Sequence, residues 1–257
     1  MAVHVEIEEG ICTITLDRPE KHNAMDSEHY KLLSKAWETV RDDPSIRAAI
    51  ITGAGEKTFS AGADLKDIDT VFTTGSDMWL TQRDQLLNRG LEIWKPVIAA
   101  VNGNCFAGGM TLMMATDIRV SVDTATFGIT EVKRGLLAAN GGTQRAIKQM
   151  PYAIAMEMLL TGDAISAQEA HRWGLINAVV PRVALLDTAR HYAKRILSNG
   201  PLAVQATKEL AVRSMDMSMA DGLRMEQIMI RHLLRTEDAT EGRLAFREKR
   251  QAVFQGR

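Results

Sequence analysis

The chain has 257 residues, 46% apolar and 25% charged, with a formal net charge of −1. This is ordinary globular composition, and it argues against disorder, a polybasic membrane-surface protein and a nucleic-acid partner. Two cysteines, Cys12 and Cys105, exclude a disulfide-stapled scaffold or multi-cysteine zinc module, and no run approaches the roughly 18 apolar residues of a membrane span.

The N-terminus, MAVHVEIEEG, has no cationic segment followed by an apolar one, so a cytoplasmic protein is the expectation. It alternates instead. Val3, Val5 and Ile7 share one face, Glu8-Glu9-Gly10 reads as a turn, and Ile11 to Leu16 supplies a second strand, so residues 3–16 predict a β-hairpin. Asp26 and Ser27 can cap a helix to about Val40, with Leu32, Leu33, Ala36, Trp37 and Val40 in one stripe. Ile46 to Thr52 predicts a buried strand, 76–93 a polar-faced helix, Pro96 to Val101 another buried strand and 108–116 a buried helix. Ile118 to Val122 and Ala125 to Val132 read as strands. From about Ser166 the segments 166–173, 183–198, 201–214, 218–235 and 238–250 carry helical spacing. Strands alternating with helices predict an α/β core over residues 1–195, followed by a helical region over 196–257.

The common cofactor and nucleophile signatures are absent. There is no complete G-x-G-x-x-G after a strand, no G-x-x-x-x-G-K-[ST], no H-E-x-x-H and no G-x-S-x-G. An enzyme built from this chain would rely on backbone dipoles and a carboxylate. Two small-residue segments suit that: Ser60 to Lys66 after a strand, and Gly103 to Gly109 between a strand and a helix. A helix starting near Gly109 leaves free N–H groups able to hold an enolate or oxyanion. Both segments also read simply as tight turns.

Three stretches carry a resemblance to a known family: AGADLKDI at 61–68, AAVNGNCFAGGMTLMMATDIRV at 99–120 and ATFGITEVKRGLLAANGGTQR at 125–145. Together with LDRPEKHNAM at 16–25, LLTGDAISAQEAHRWGLINAVVP at 159–181 and EGRLAFREKR at 241–250, the chain resembles the enoyl-CoA hydratase/isomerase (crotonase) superfamily over nearly its whole length. The resemblance implies a spiral of repeated ββα units with a C-terminal helical trimerisation region, hence a homotrimer or hexamer. It implies an acyl-CoA substrate, with coenzyme A entering as part of that substrate and no separate cofactor or metal. By position, the oxyanion-hole amides are those of Ala63 and Gly108.

The hydratase branch of that family carries two glutamates. The second falls on Glu131. The first falls twenty positions earlier, on Thr111, and no residue from Met110 to Thr116 is ionisable. Hydration needs a water activated at C3 and a proton delivered at C2, whereas moving a double bond needs one base. The resemblance therefore favours isomerase-type proton transfer with Glu131 as the single acid/base. The alternative is an enoyl-CoA hydratase or dehydratase of fatty-acid or related acyl-CoA breakdown. Hydrolysis and decarboxylation are other chemistries of the family, and a non-catalytic CoA- or protein-binding member is a reading of another class.

Around the CoA, the resemblance marks Lys21, His22 and Ala24 in the first turn and Ala61, Asp64, Leu65 and Lys66 in the second. Phe246 and Lys249, three apart and so on one helical face, would contact the CoA of a neighbouring subunit, with Lys249 near its 3′-phosphate. An amphipathic tail helix is the plainer account of that pair. Asp238 with Glu241 fits a helix start. Met110, Leu112, Met113 and Met114 are expected to flank the acyl pocket, with a core role the simpler account of the methionines, and Cys105 is expected to be a packed residue rather than a nucleophile. Asn140 either reaches the acyl group or serves as a turn residue tolerating left-handed geometry.

Overall fold

The structure is a computed structural model that describes residues 3–67, 86–88 and 90–257. Strand β1 (Val3–Glu8) pairs antiparallel with β2 (Ile11–Leu16) through Glu9 and Gly10, both at positive φ, as the tightest hairpin turn demands. Of the three apolar residues on the β1 face only Val3 is buried; Val5 and Ile7 are exposed. Parallel strands then extend the sheet from β2: β3 (Ala48–Gly53), β5 (Val97–Val101), β7 (Ile118–Val122) and β10 (Ala178–Val180), in the order β1-β2-β3-β5-β7-β10. Every residue of β3 and β5 is buried, which is why they read as continuous apolar runs rather than alternating ones.

A second sheet lies alongside: β4 (Thr58–Ser60), β6 (Asn104–Phe106), β8 (Thr126–Gly128) and β9 (Ala164–Ser166), in the order β4-β6-β8-β9. The three long central strands of the first sheet thus each run straight into a short strand of the second: β3 into β4, β5 into β6, β7 into β8. This recurrence is the repeated unit of the spiral. Each strand of three residues is too short to show periodicity.

Helix α1 (Ser27–Asp42) starts where the sequence places its cap: Asp26 accepts from the N–H groups of Glu28 and His29, and Leu33, Ala36, Trp37 and Val40 are buried. Helix α2 (Gly108–Met114) follows β6, and α3 (Gly142–Gln149) and α4 (Tyr152–Thr161) follow β8. The short α5 (Ala167–Arg172) carries a capping box from Ser166 and Glu169. Helix α6 (Leu185–Leu197) packs on β3, β5 and β7.

The last helices are α7 (Pro201–Ser214), α8 (Met219–Leu233) and α9 (Glu237–Glu248). Neither α7 nor α8 has a fully buried residue in the single chain, and Met219, Leu223, Ile228, Leu234 and Phe246 are exposed. Asp238 and Glu241 do more than start α9. Thr236 caps the helix, while Asp238 accepts from the N–H groups of Gln255 and Gly256 at 2.7 and 2.8 Å and Glu241 pairs with Arg250 at 2.6 Å. These contacts fold the C-terminal tail back onto the helix.

Two predicted elements differ. The strand expected to run to Val132 stops at Gly128, because after it the chain makes one 3-10 turn, Glu131–Arg134, closed by Gly135 at φ 70°. The helix predicted over 76–93 lies mostly outside the described residues, and residues 86–88 and 90–93 are not helical. No helix among the described residues is long and apolar enough to cross a membrane.

Candidate active site

The site begins with how β4 ends. The turn at 18–25 braces the chain after it: Asn23 donates from Nδ2 to the Thr58 carbonyl at 2.7 Å, Ser60 Oγ to the Asn23 carbonyl at 2.9 Å and the Ala61 N–H to the His22 carbonyl at 3.0 Å. Met25 then forms an isolated parallel bridge with Ala63. The Met25 N–H donates to the Gly62 carbonyl at 2.8 Å and the Asp64 N–H to the Met25 carbonyl at 2.9 Å. Those bonds belong to the residues either side of Ala63, so its own N–H faces away from the bridge.

The second amide comes from the start of α2. Ala107, at φ 49°, hangs its N–H on the Gly128 carbonyl at 3.0 Å, and its carbonyl receives the Thr111 N–H at 3.0 Å. Gly108 is the first helical residue, and its N–H has no acceptor in its own helix. The two segments touch because position 62 is glycine, at φ 89°: a Cβ there would lie 2.5 Å from Gly108 N. A Cβ on Gly108 in turn would lie 3.4 Å from Ala63 N, so two main-chain donors stand side by side.

Ala63 and Gly108 both line a cavity of about 1020 Å³. Its wall brings together Ala24, Ala61, Asp64, Leu65 and Lys66 with Ala63 and Gly108, and adds Thr111, Glu131 and Asn140. Sequence reasoning missed the rest. Tyr30, Phe106, Leu136, Leu137 and Ala139 give the wall an apolar area, and Lys133 and Arg134 give it two cations, of which Lys133 pairs with Asp163 at 2.7 Å. The two basic residues that follow Glu131-Val132 were the available signal. Met110, Leu112 and Met113 do not line the cavity; they lie on α2 and are buried in the core. A helix that is apolar all round gives no spacing signal for which face meets a ligand.

Lys21, His22, Phe246 and Lys249 are not in this wall. His22 hydrogen-bonds through Nδ1 to Thr58 Oγ1 at 3.2 Å. Phe246 lies in a separate hollow of about 780 Å³ with Leu233 and Phe254. Lys249 follows the last turn of α9 in the left-handed conformation, φ 55°, so it leaves the helical face it was expected to share with Phe246. Asp64 is held by Arg18 at 3.0 Å, and Arg18 also reaches Asp26 at 3.2 Å, a three-membered charge cluster beside the bridge. Cys105 is fully buried, and burial pushes its thiol well above the usual range, as suits a packed residue.

Glu131 is the cavity's distinctive group. Burial raises its carboxyl above the ordinary 4.5, with a hydrogen bond from its own backbone acting the other way. Its Oε2 is buried without a hydrogen-bond partner among the described residues, and so is Oδ1 of Asn140. A buried acceptor left empty costs about 1–3 kcal/mol. Thr111 is already occupied: its hydroxyl donates to the Ala107 carbonyl at 3.3 Å. The wall of one cavity therefore carries a partly desolvated carboxylate and two residues whose main-chain N–H groups are free of their own secondary structure. Such a set can move a proton at a carbon while the charge that develops is held on an oxygen.

The profile of the family described as Enoyl-CoA hydratase/isomerase matches residues 6–257. The (E)-benzylidenesuccinyl-CoA hydratase of Thauera aromatica is 43% identical over 256 residues, covering 100% of both chains. The carnitinyl-CoA dehydratase of Salmonella arizonae is likewise 43% identical, over 96% of this chain and 95% of the relative. Among solved structures, the enoyl-CoA hydratase of Mycobacterium tuberculosis H37Rv superimposes with a TM-score of 0.90 at 37% identity, over 100% of this chain and 99% of that one. Sequence, sheet topology and whole-length similarity agree: the chain belongs to the enoyl-CoA hydratase/isomerase, or crotonase, family of acyl-CoA enzymes.

Proposed function

We propose that this enzyme adds water across the C2=C3 double bond of an enoyl-CoA thioester, or removes it from the 3-hydroxyacyl-CoA. Glu131 carries the proton, and the Ala63 and Gly108 N–H groups hold the thioester oxygen. The observation that carries this reading is that Glu131, with a carboxyl raised by burial and Oε2 without a partner among the described residues, lines the same cavity as Ala63 and Gly108. On residue count alone the isomerase reading has the advantage, because Thr111 stands where a second glutamate is expected. Two relatives that match essentially end to end, one named a hydratase and one a dehydratase, favour the water chemistry instead.

The steps follow from the groups present. Water oxygen bonds to C3 while the π pair moves toward the thioester, and one water proton passes to Glu131. Negative charge collects on the thioester oxygen, which the Ala63 and Gly108 N–H groups hold. Glu131 then returns the proton to C2. A carboxyl raised by burial is suited to both halves, since it is a stronger base than an ordinary glutamate when ionised and still a competent acid afterwards.

The thioester's CoA portion is assigned to the mouth formed by Ala24, Ala61, Asp64, Leu65 and Lys66, with Lys21 and His22 on the turn beyond it. Residues 196–257 are assigned to a homotrimer or hexamer. In that assembly Phe246 and Lys249 meet the CoA of a neighbouring subunit. The apolar residues left exposed on α8 and α9 support an oligomer. The test is a panel of 2-enoyl-, 3-enoyl- and 3-hydroxyacyl-CoA esters followed by mass spectrometry. Gain of one water by the 2-enoyl esters is expected. Interconversion of 2- and 3-enoyl esters with no hydrated product would return the assignment to isomerisation.

A further inference from the structure

Helix α2 carries Gly108 at its start, and its other residues, Gly109 to Met114, are buried. Three of those are methionines, whose packing is adaptable, so the place of α2 along its own axis is set more sharply by hydrogen bonds at its ends. At the start, Ala107 hangs from the Gly128 carbonyl. At the end, carbonyls that no helical N–H reaches are met one by one. Leu112 accepts from the Ala115 N–H at 3.1 Å, and Met113 from the Thr116 N–H at 3.0 Å and hydroxyl at 2.7 Å. Met114 accepts from Gln149 Nε2 and from Arg119 Nη2, both at 3.0 Å.

Arg119 does more than close that list. The same Nη2 donates to the Thr116 carbonyl at 2.8 Å, and Nη1 to the Leu175 carbonyl at 3.0 Å. The residue is buried and makes no ion pair among the described residues; Asp117, two positions away, is engaged by Lys208 at 2.7 Å. Its backbone, on β7, is clasped by Asn177, whose Oδ1 accepts the Arg119 N–H and whose N–H donates to the Arg119 carbonyl, both at 2.8 Å. A buried cation is costly, and here it serves as a fork for main-chain carbonyls at a helix C-terminus, where positive charge is also favourable.

We infer that Arg119 is a positioning residue for the reaction: by tying the C-terminal end of α2 to the central sheet, it fixes where the Gly108 N–H stands at the other end. The inference rests on the reading in which that N–H holds the thioester oxygen. Arg119 is not in the cavity wall, so it touches no substrate. Seven residues at about 1.5 Å each make α2 a rod of about 10 Å, short enough to pass a shift at one end to the other. Without the fork, α2 loses its tie to β7 and Gly108 drifts relative to Ala63.

The test uses Arg119→Met, Arg119→Lys and a comparison destabilised elsewhere, Val40→Ala, which opens a hole in the core on α1 away from the cavity wall. The readout is the carbonyl stretch of a saturated acyl-CoA bound at saturation, taken from isotope-edited infrared difference spectra, beside kcat and KM for a 2-enoyl-CoA. Donors on the oxygen lower that stretch, and its frequency belongs to the bound complex whatever fraction of the protein is folded. Wild type should show a stretch below that of the ester in water. In Arg119→Met the stretch is expected to move back up, with kcat per binding site falling about 10²-fold, the scale of a displaced donor, and KM nearly unchanged. Arg119→Lys keeps the charge without the fork and should lie between; it decides alone where methionine leaves too little folded protein. Val40→Ala should keep the wild-type stretch. A wild-type stretch in the Arg119 variants, or an equal displacement in Val40→Ala, overturns this inference alone. A wild-type stretch no lower than in water overturns the reading of the amide pair and this inference with it.

Discussion

Gly62→Ala is a direct test of the paired amides. The added methyl would lie 2.5 Å from Gly108 N, 3.1 Å from Gly108 Cα and 3.2 Å from Ala107 Cβ, none of them the end of a flexible side chain. To reach a tolerable contact the segments must part by about half an ångström or more. Donors hold an oxyanion within about 2.7–3.1 Å, so that parting disables one of the two, a loss of roughly 10²–10³ in kcat or about 2.7–4 kcal/mol of barrier. Alanine at φ 89° adds about 1–2 kcal/mol of backbone strain to any overpacking. Gly174→Ala is the control, with φ 77° and nothing within 4 Å of the new methyl. It should show the strain in a denaturant melt and leave kcat unchanged. Steady-state hydration assays on both variants decide the matter. If Gly62→Ala turns over like wild type, the Ala63 and Gly108 amides do not hold the thioester oxygen.

Three further outcomes are expected. Burial raises the Glu131 carboxyl in the folded chain, so its ionisation weakens the fold as pH climbs through the folded value and costs nothing below the unfolded one. Glu131→Gln should therefore be more stable than wild type near neutral pH and equal to it in acid, as read by melts across pH. The same variant should lose hydration by about 10²–10⁴-fold, and the acid limb that wild type shows above 4.5 should be absent from any residual rate. Asp238→Ala releases two backbone N–H groups at the C-terminal tail and should cost about 2–3 kcal/mol, with earlier proteolytic loss of residues 251–257. Light scattering should give three or six times the chain mass of 28.4 kDa; a monomer at micromolar concentration would contradict the assigned role of the last helices.

The sequence exposes backbone-dependent features well where a small-residue motif marks them. Ala63, Gly108 and Glu131, each picked out by a motif, line one cavity, and the long buried strands β3 and β5 are plain from their apolar runs. The cavity's apolar wall was not legible. Leu136 and Leu137 sit on an irregular loop with no period to read, and Tyr30 belongs to α1, whose stripe otherwise marks core. The β8 overrun has a similar cause: Ile129 is as buried as a strand residue but lies past the last paired position. Helices α3 and α4 went unmarked. The first is short, and the second, YAIAMEMLLT, shows no separate polar face.

The proposed oxyanion donors are peptide N–H groups, and this affects how the gene can change. A codon substitution replaces a side chain and leaves the peptide group in place, proline excepted. Mutation can therefore exchange Thr111, Glu131 or Asn140 freely while the charge-holding pair passes unaltered to every descendant. A lineage built this way inherits a fixed electrophile holder and explores proton and water chemistry around it. The weak points are few and indirect: proline at 63 or 108, or any side chain at Gly62 that pushes the segments apart.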